Sequence, residues 1–268
     1  MESLLFNAAF AFYAVGLFHS IATFVTRKDT FFRIAIISHG IGFLCHSVFL
    51  VVLGIERQHF PIMNLRESLF FFAWTVSLCF QISYWRYRFR AIGLFSLPMV
   101  TILMLGTAFL KSYPAPEILQ SSWIYLHTTC LILAYGMFFI TFISSVLYLF
   151  QQRQIKSRKP RMLLERLPAL LTMDEAFQKF LIAGFCFMTV GLLAGVLWAE
   201  KEWTQGWYQD PKVISTFVTW LIYLTLLYLR LSVGWRGKKA ALMSLFGFLS
   251  VLFTFLGARL FFEGLHTF

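Results

Sequence analysis

Charge is what this sequence has least of. Asp, Glu, Lys and Arg make up 13% of its 268 residues, against about 25% in an average soluble domain. No polar stretch is long enough to build a core of its own, which excludes a separate soluble domain and leaves residues 1–268 as a single polytopic membrane domain. Cysteine is sparse and unpaired: Cys45, Cys79, Cys130 and Cys186 each lie in an apolar segment and none belongs to a Cys-x-x-Cys pair. That argues against thiol redox work and against covalent attachment of a prosthetic group. No basic region precedes the first apolar segment and no small-residue cleavage site follows it, so it reads as a retained membrane helix. Nucleotide, metalloprotease and nucleophile–base motifs are absent, as is a transporter-like internal repeat.

Apolar residues are what remains. They reach 59% of the chain, with 33 Phe and a mean hydropathy of +0.73. About 20 mostly apolar residues span a bilayer as a helix, and eight windows qualify: 4–24, 32–53, 67–85, 91–110, 123–151, 180–198, 213–231 and 240–262. The predicted fold is an all-α integral membrane bundle of about eight transmembrane helices. Lys and Arg divide unequally between its two sides, with 17 in the loops that include Arg27, Arg88, Arg158 and Lys238 and six on the other side. The richer side is assigned to the cytoplasm, which places both termini outside. The net charge of +11 is therefore a topology signal, not a nucleic-acid footprint, because the basic residues sit in separate short loops beside the bilayer. The longest loop, 152–178, reads as a basic anchor followed by a short interfacial helix over 163–171 on anionic lipid, or as a docking site for a cytoplasmic partner.

One outer loop stands out. Residues 198–212 hold Trp198, Trp203, Trp207, Tyr208 and Asp210-Pro211-Lys212 between two apolar segments. Trp203 and Trp207 are four apart, so a helical loop would put them on one face. An interfacial aromatic belt accounts for one tryptophan; a shelf for a flat aromatic ligand accounts for the group. Asp210 can cap the following helix. His127, at the start of the fifth window, His266, just beyond the eighth, and His59 share the same face. Two imidazoles beside an aromatic shelf match haem chemistry, with His127 and His266 as axial ligands of the iron. His19, His39 and His46 lie at depth, and with Tyr228 they either form a second, inner site or are hydrogen-bonded between helices. In the loop before the third window, Asn64 and Glu67 are spaced as a capping box, with Arg66 and Glu67 available to pair with each other or with haem propionates.

At this point the residues resemble the cytochrome c assembly proteins of the CcsA/CcmC type, which handle haem through a tryptophan-rich "WWD" loop. The likeness spans most of the chain. It is carried by His59-Phe60-Pro61 with Asn64, Glu67 and Ser68; by Arg90, Gly93, Phe95, Leu97 and Pro98; by Leu126-His127 with Ala134-Tyr135; and by Gly257 with Gly264-Leu265-His266. Thr204, Gln209 and Val213 stand where the family loop has Gly, Trp and Glu, and Tyr228 stands where a family segment carries an intramembrane histidine. The resemblance implies a bacterial inner-membrane protein that holds haem b at the extracytoplasmic face. Its site would be His127, His266, Trp198, Trp203, Trp207 and Asp210, and it would present haem to apocytochrome c with a ResB/Ccs1-type membrane partner, at most as one subunit of a haem lyase. The departures favour a shorter branch of the family, whose HemX-like members imply the alternative of a regulator of haem synthesis at the level of glutamyl-tRNA reductase.

Overall fold

The computed structural model describes residues 1–26, 28–88, 90–110, 121–156, 167–203 and 206–257. Among them are eight helices long and apolar enough to cross a membrane: α1 (Glu2–Thr26), α2 (Asp29–Arg57), α3 (Leu65–Tyr87), α4 (Gly93–Thr107, preceded by a 3-10 turn at Arg90–Ile92), α5 (Ser122–Lys156), α6 (Leu170–Glu202), α7 (Pro211–Leu231) and α8 (Lys238–Leu252, continued by a π turn at Phe253–Gly257). The chain is an all-helical, multi-pass membrane protein. Large apolar side chains such as Phe18, Leu44, Phe109, Leu193 and Phe246 remain exposed, as suits surfaces whose solvent is lipid.

The helices fall into two compact units, residues 1–115 and 116–268. In the first, α1 packs on α2 and α4, and α3 on α4. Glycine makes the close approaches: a Cβ at Gly16 would lie 3.3 Å from the Ala35 carbonyl oxygen, and one at Gly42 3.0 Å from the Tyr13 ring. The N-terminus of α3 is a reciprocal cap. Asn64 Oδ1 accepts from the Glu67 N–H at 3.0 Å, while Glu67 accepts from the Met63 N–H and the Asn64 side-chain amide, each at 2.9 Å. Glu67 is thereby turned inward and only 2% exposed. The expectation that it sits at the surface to pair with Arg66 or with propionates is corrected: its two oxygens already hold the loop.

In the second unit α5 is the spine, packed on α6 and α8. The rings of Phe138 on α5 and Tyr223 on α7 stack in parallel, 3.6 Å between centroids. Glycines close both faces of this stack: a Cβ at Gly184 on α6 would come within 2.7 Å of Phe138, and one at Gly247 on α8 within 3.0 Å of Tyr223.

α6 starts ten residues before its expected window, and 170–178 belongs to it rather than to a cytoplasmic loop. Met173, Ala176 and Phe177 are buried on the face of Phe180, Leu181 and Gly184. Asp174, which made this stretch look like a loop, is ion-paired with the buried Arg230 at 2.8 Å. Residues 157–166, most of the expected anchor, lie outside the described residues.

Overpacking a close-packed core costs about 1–3 kcal/mol. Gly184→Ala and Gly247→Ala should each lower stability by that order, measured as the midpoint of thermal unfolding in detergent, whereas Gly106→Ala, with open space beside it, should not.

Candidate functional site

His127 lies in the second turn of α5 and is half-buried against α6. Its Nδ1 is 2.8 Å from the Gly191 carbonyl oxygen. A carbonyl only accepts, so Nδ1 carries the proton and the lone pair resides on Nε2, the tautomer of an imidazole that ligates through Nε2. The seat is made by two glycines one turn apart. A Cβ at Gly195 would overlap the His127 ring, and one at Gly191 would be 3.1 Å from both the His127 carbonyl oxygen and Cys130 Cβ. Sequence reasoning missed this pair. Its signal was present, since Gly191-x-x-x-Gly195 in an apolar helix is the small-residue pattern of close helix contact.

Trp198 follows Gly195 by three residues and so shares its face of α6. It is 2% exposed, and its indole N–H, fully buried, has no hydrogen-bond partner among the described residues. Trp203 stands edge-on to it, centroids 4.8 Å apart and planes at 74°. The expected helical loop with Trp203 and Trp207 on one face is corrected. α6 ends at Glu202, Trp203 is extended (φ −105°, ψ 107°), and Gly206 takes a left-handed φ of 80° before a 3-10 turn over Trp207–Gln209. Trp203 therefore partners Trp198, while the Trp207 indole N–H donates to Glu200 at 3.1 Å. Asp210 caps α7 as expected, accepting from the N–H groups of Lys212 at 2.9 Å and Val213 at 3.2 Å with Pro211 next in line. His266 lies outside the described residues; the chain leaves α8 toward it through the π turn ending at Gly257. Such turns recur at functional sites.

In the first unit, His39 and His46 join one buried chain that also uses Tyr13 and Ser77. The Tyr13 hydroxyl donates to Ser77 Oγ at 3.2 Å and lies 3.3 Å from His46 Nδ1, and Ser77 Oγ lies 3.1 Å from His39 Nε2. With the Tyr13 proton on Ser77, His46 Nδ1–H donates to Tyr13 and Ser77 donates to His39. All four residues are 0% exposed, and His39 Nδ1 and His46 Nε2 have no partner among the described residues. His19 stands apart from this chain, half-buried, its Nδ1 donating to the Val15 carbonyl at 2.8 Å. Tyr228 is 60% exposed on α7. His59 donates from Nδ1 to its neighbour Phe60 at 3.0 Å, with Glu67 3.9 Å away.

The second unit thus sets an imidazole on a glycine seat in α6, the same helix that carries the Trp198–Trp203 pair toward the capped start of α7. The family described as Cytochrome C assembly protein matches residues 62–266, and the chain belongs to that family. It is 30% identical to the cytochrome c biogenesis protein CcsA of Chlorella vulgaris, over 90% of this chain and 87% of that one. With CcsA of Heterosigma akashiwo it shares 32% over 78% and 76%, and with CcsA of Gloeobacter violaceus 28% over 100% and 96%. A solved structure titled Cytochrome c Heme Lyase CcmF superposes with a TM-score of 0.62 at 15% identity, covering 96% of this chain. The chain spans half of that structure's length, and the likeness is one of fold. The matched segment contains His127, the tryptophan loop and His266, and begins after His19, His39 and His46.

The seat makes a sharp prediction. Gly195→Ala should displace the His127 ring and destabilise by about 1–3 kcal/mol, and His127→Ala in the same chain should recover most of that loss, because it removes the overlapping ring. A double-mutant cycle on thermal unfolding reads the coupling; simple additivity would contradict the seat.

The Tyr13 chain can be tested separately. Tyr13→Phe leaves His46 Nδ1 and the Ser77 hydroxyl each short of a buried partner, and should cost about 1–3 kcal/mol. The same change at the exposed Tyr208 should cost nothing measurable.

Proposed function

We propose that this protein takes part in cytochrome c assembly by holding haem at the extracytoplasmic membrane face and presenting it to apocytochrome c. Haem b is cargo in this reading. His127, through Nε2, and His266 would ligate the haem iron. Trp198, Trp203 and Trp207 would hold the macrocycle, and Asp210 anchors their loop to α7. The reading rests above all on the His127 Nδ1–H bond to the Gly191 carbonyl, which leaves the ligating nitrogen as the one with the lone pair and fixes the plane of the ring.

The protein's share of the work is binding and positioning. Thioether formation is chemistry between haem vinyl groups and the thiols of the apocytochrome. Gly191 and Gly195 fix the imidazole, and the tryptophans exclude water from one side of the ligand. A ResB/Ccs1-type membrane protein completes the machine. The bacterial cytoplasmic membrane is the proposed location.

A second reading has one observation behind it. Tyr228 occupies the place of the family's intramembrane histidine and is exposed on α7, so one imidazole expected of a full synthase is missing. A HemX-like regulator that binds haem at the outer site alone, and acts on haem synthesis from the cytoplasmic side, fits that loss.

Absorption spectra of the detergent-purified protein, before and after dithionite, test the site. Wild type should show a Soret band and sharp reduced α and β bands. His127→Ala and His266→Ala should each weaken them, and Trp203→Ala should shift them. Unchanged spectra in both histidine variants would sink the outer-site assignment. Haem binding with no effect of the variants on apocytochrome maturation in cells would move the function to the regulatory reading.

A further inference from the structure

Among the eight spans of the described residues, α7 is the least covered by the rest of the chain. Phe217, Val218, Leu221 and Leu224 along it are exposed, and apolar faces alone give a membrane helix little to hold on to. Its grip is polar. At the inner end Arg230 is paired with Asp174 of α6. A second grip lies at Thr219 and Trp220, about 12 Å down the helix from its first residue, near the middle of a hydrocarbon core about 30 Å thick.

The two side chains reach different neighbours. Thr219 is fully buried. It donates its one hydroxyl proton to the Ser215 carbonyl at 2.8 Å. Its lone pairs are what it offers α8, where Ser250 Oγ and, at 3.0 Å, Thr254 Oγ1 donate to it. Ser250 lies just before the π turn of Phe253–Gly257 and Thr254 lies inside it. One hydroxyl thus holds α8 on both sides of the point where its register changes. Trp220 reaches α6. Its indole N–H donates to Thr189 Oγ1 at 3.0 Å, and its ring stacks on Phe185 with centroids 5.7 Å apart and planes at 27°. Thr189 gives its own proton to the Phe185 carbonyl at 2.9 Å, so it too faces α7 as an acceptor. At that depth no water competes for these bonds.

We infer, on the haem-holding reading of the outer site, that Thr219 and Trp220 are positioning residues for it, acting from mid-membrane. Thr189 stands two residues before Gly191, whose carbonyl holds His127. The tryptophan loop is strung between the end of α6 and the Asp210-capped start of α7. α8 leads on through its π turn toward His266. Because α7 bonds both α6 and α8, its seating sets the spacing of the segments that carry the ligands.

The test uses the detergent-purified full chain. Thr219→Val keeps the shape of the side chain and removes the acceptor for both α8 hydroxyls, and Thr219→Ser restores it. Trp220→Phe keeps a ring against Phe185 and removes the N–H. Gly42→Ala, a tight contact in the first unit, is the control for destabilisation at large. Hydrogen–deuterium exchange is measured without haem. It should be about tenfold faster at the capped amides of Lys212 and Val213 in Trp220→Phe, and at residues 253–257 in Thr219→Val. Thr219→Ser and Gly42→Ala should match wild type at both places. Absorption and electron paramagnetic resonance spectra are then taken with ferric haem. Wild type, Thr219→Ser and Gly42→Ala should be low-spin, whereas Thr219→Val and Trp220→Phe should show a high-spin fraction, the mark of a lost axial ligand. Exchange equal to wild type, or faster exchange with unchanged haem spectra, would overturn the assignment. Absence of haem from wild type would instead sink the haem-holding reading, and exchange alone then decides whether Thr219 and Trp220 hold the turn and the loop.

Discussion

Lipid tails are as apolar as leucine, so burying leucine against leucine gains a membrane helix little. What holds such helices together is close backbone contact and the hydrogen bonds that contact permits. In this protein glycine supplies the contact at each critical place. Gly16 and Gly42 bring α1 onto α2, Gly184 and Gly247 clamp the Phe138–Tyr223 stack, and Gly191 and Gly195 open α6 to the imidazole of α5. The last pair goes beyond packing. A side chain at residue 195 would occupy the ring's own space, and with the ring moved, Nδ1 could not reach the Gly191 carbonyl. Orientation of the His127 imidazole is thus a consequence of how α5 and α6 associate.

Buried polar groups in this fold sort into two kinds. Some are saturated and serve the architecture: Glu67 holds the loop before α3, Asp210 starts α7, and Asp174 with Arg230 lets α6 run ten residues longer than its hydropathy suggested. Others are left short. Trp198 Nε1, His39 Nδ1, His46 Nε2, Ser144 Oγ and Arg230 Nε, like Ser96 Oγ, Tyr223 Oη and Ser244 Oγ, are fully buried with no hydrogen-bond partner among the described residues. Leaving such groups unsatisfied costs about 1–3 kcal/mol apiece. Trp198 Nε1 stands at the start of the tryptophan loop, and His39 Nδ1 and His46 Nε2 at the two ends of the Tyr13–Ser77 chain.

What could be read in the sequence was what is local. The eight spans emerged from apolar run length, and the caps at Asn64 and Asp210 from residue spacings of two or three, because both depend on near neighbours. The start of α6 was misplaced because Asp174 counts as a charge until its partner 56 residues away is known. Tyr13 and Ser77 drew no notice, since a hydroxyl in an apolar helix has no meaning until another helix brings a second one beside it. The tryptophan loop failed in its geometry: the four-residue spacing of Trp203 and Trp207 predicts a shared face only in a helix, and Gly206 at positive φ breaks it. Family resemblance pointed to His127 as important. It said nothing of the carbonyl behind the ring.

That carbonyl bears on the proposed role. A ligating histidine backed by a carboxylate is made more basic and grips its metal harder, and hydrogen bonds to a charged group contribute about 1.5–3 kcal/mol against about 0.5–1.5 for neutral ones. His127 is backed by a neutral backbone acceptor, so its ring is held in orientation with little added ligand strength. A protein that stores haem gains from the stronger arrangement. A protein that must surrender haem to a substrate gains from the weaker one, provided the ring stays aimed, and a glycine seat aims it by shape instead of charge.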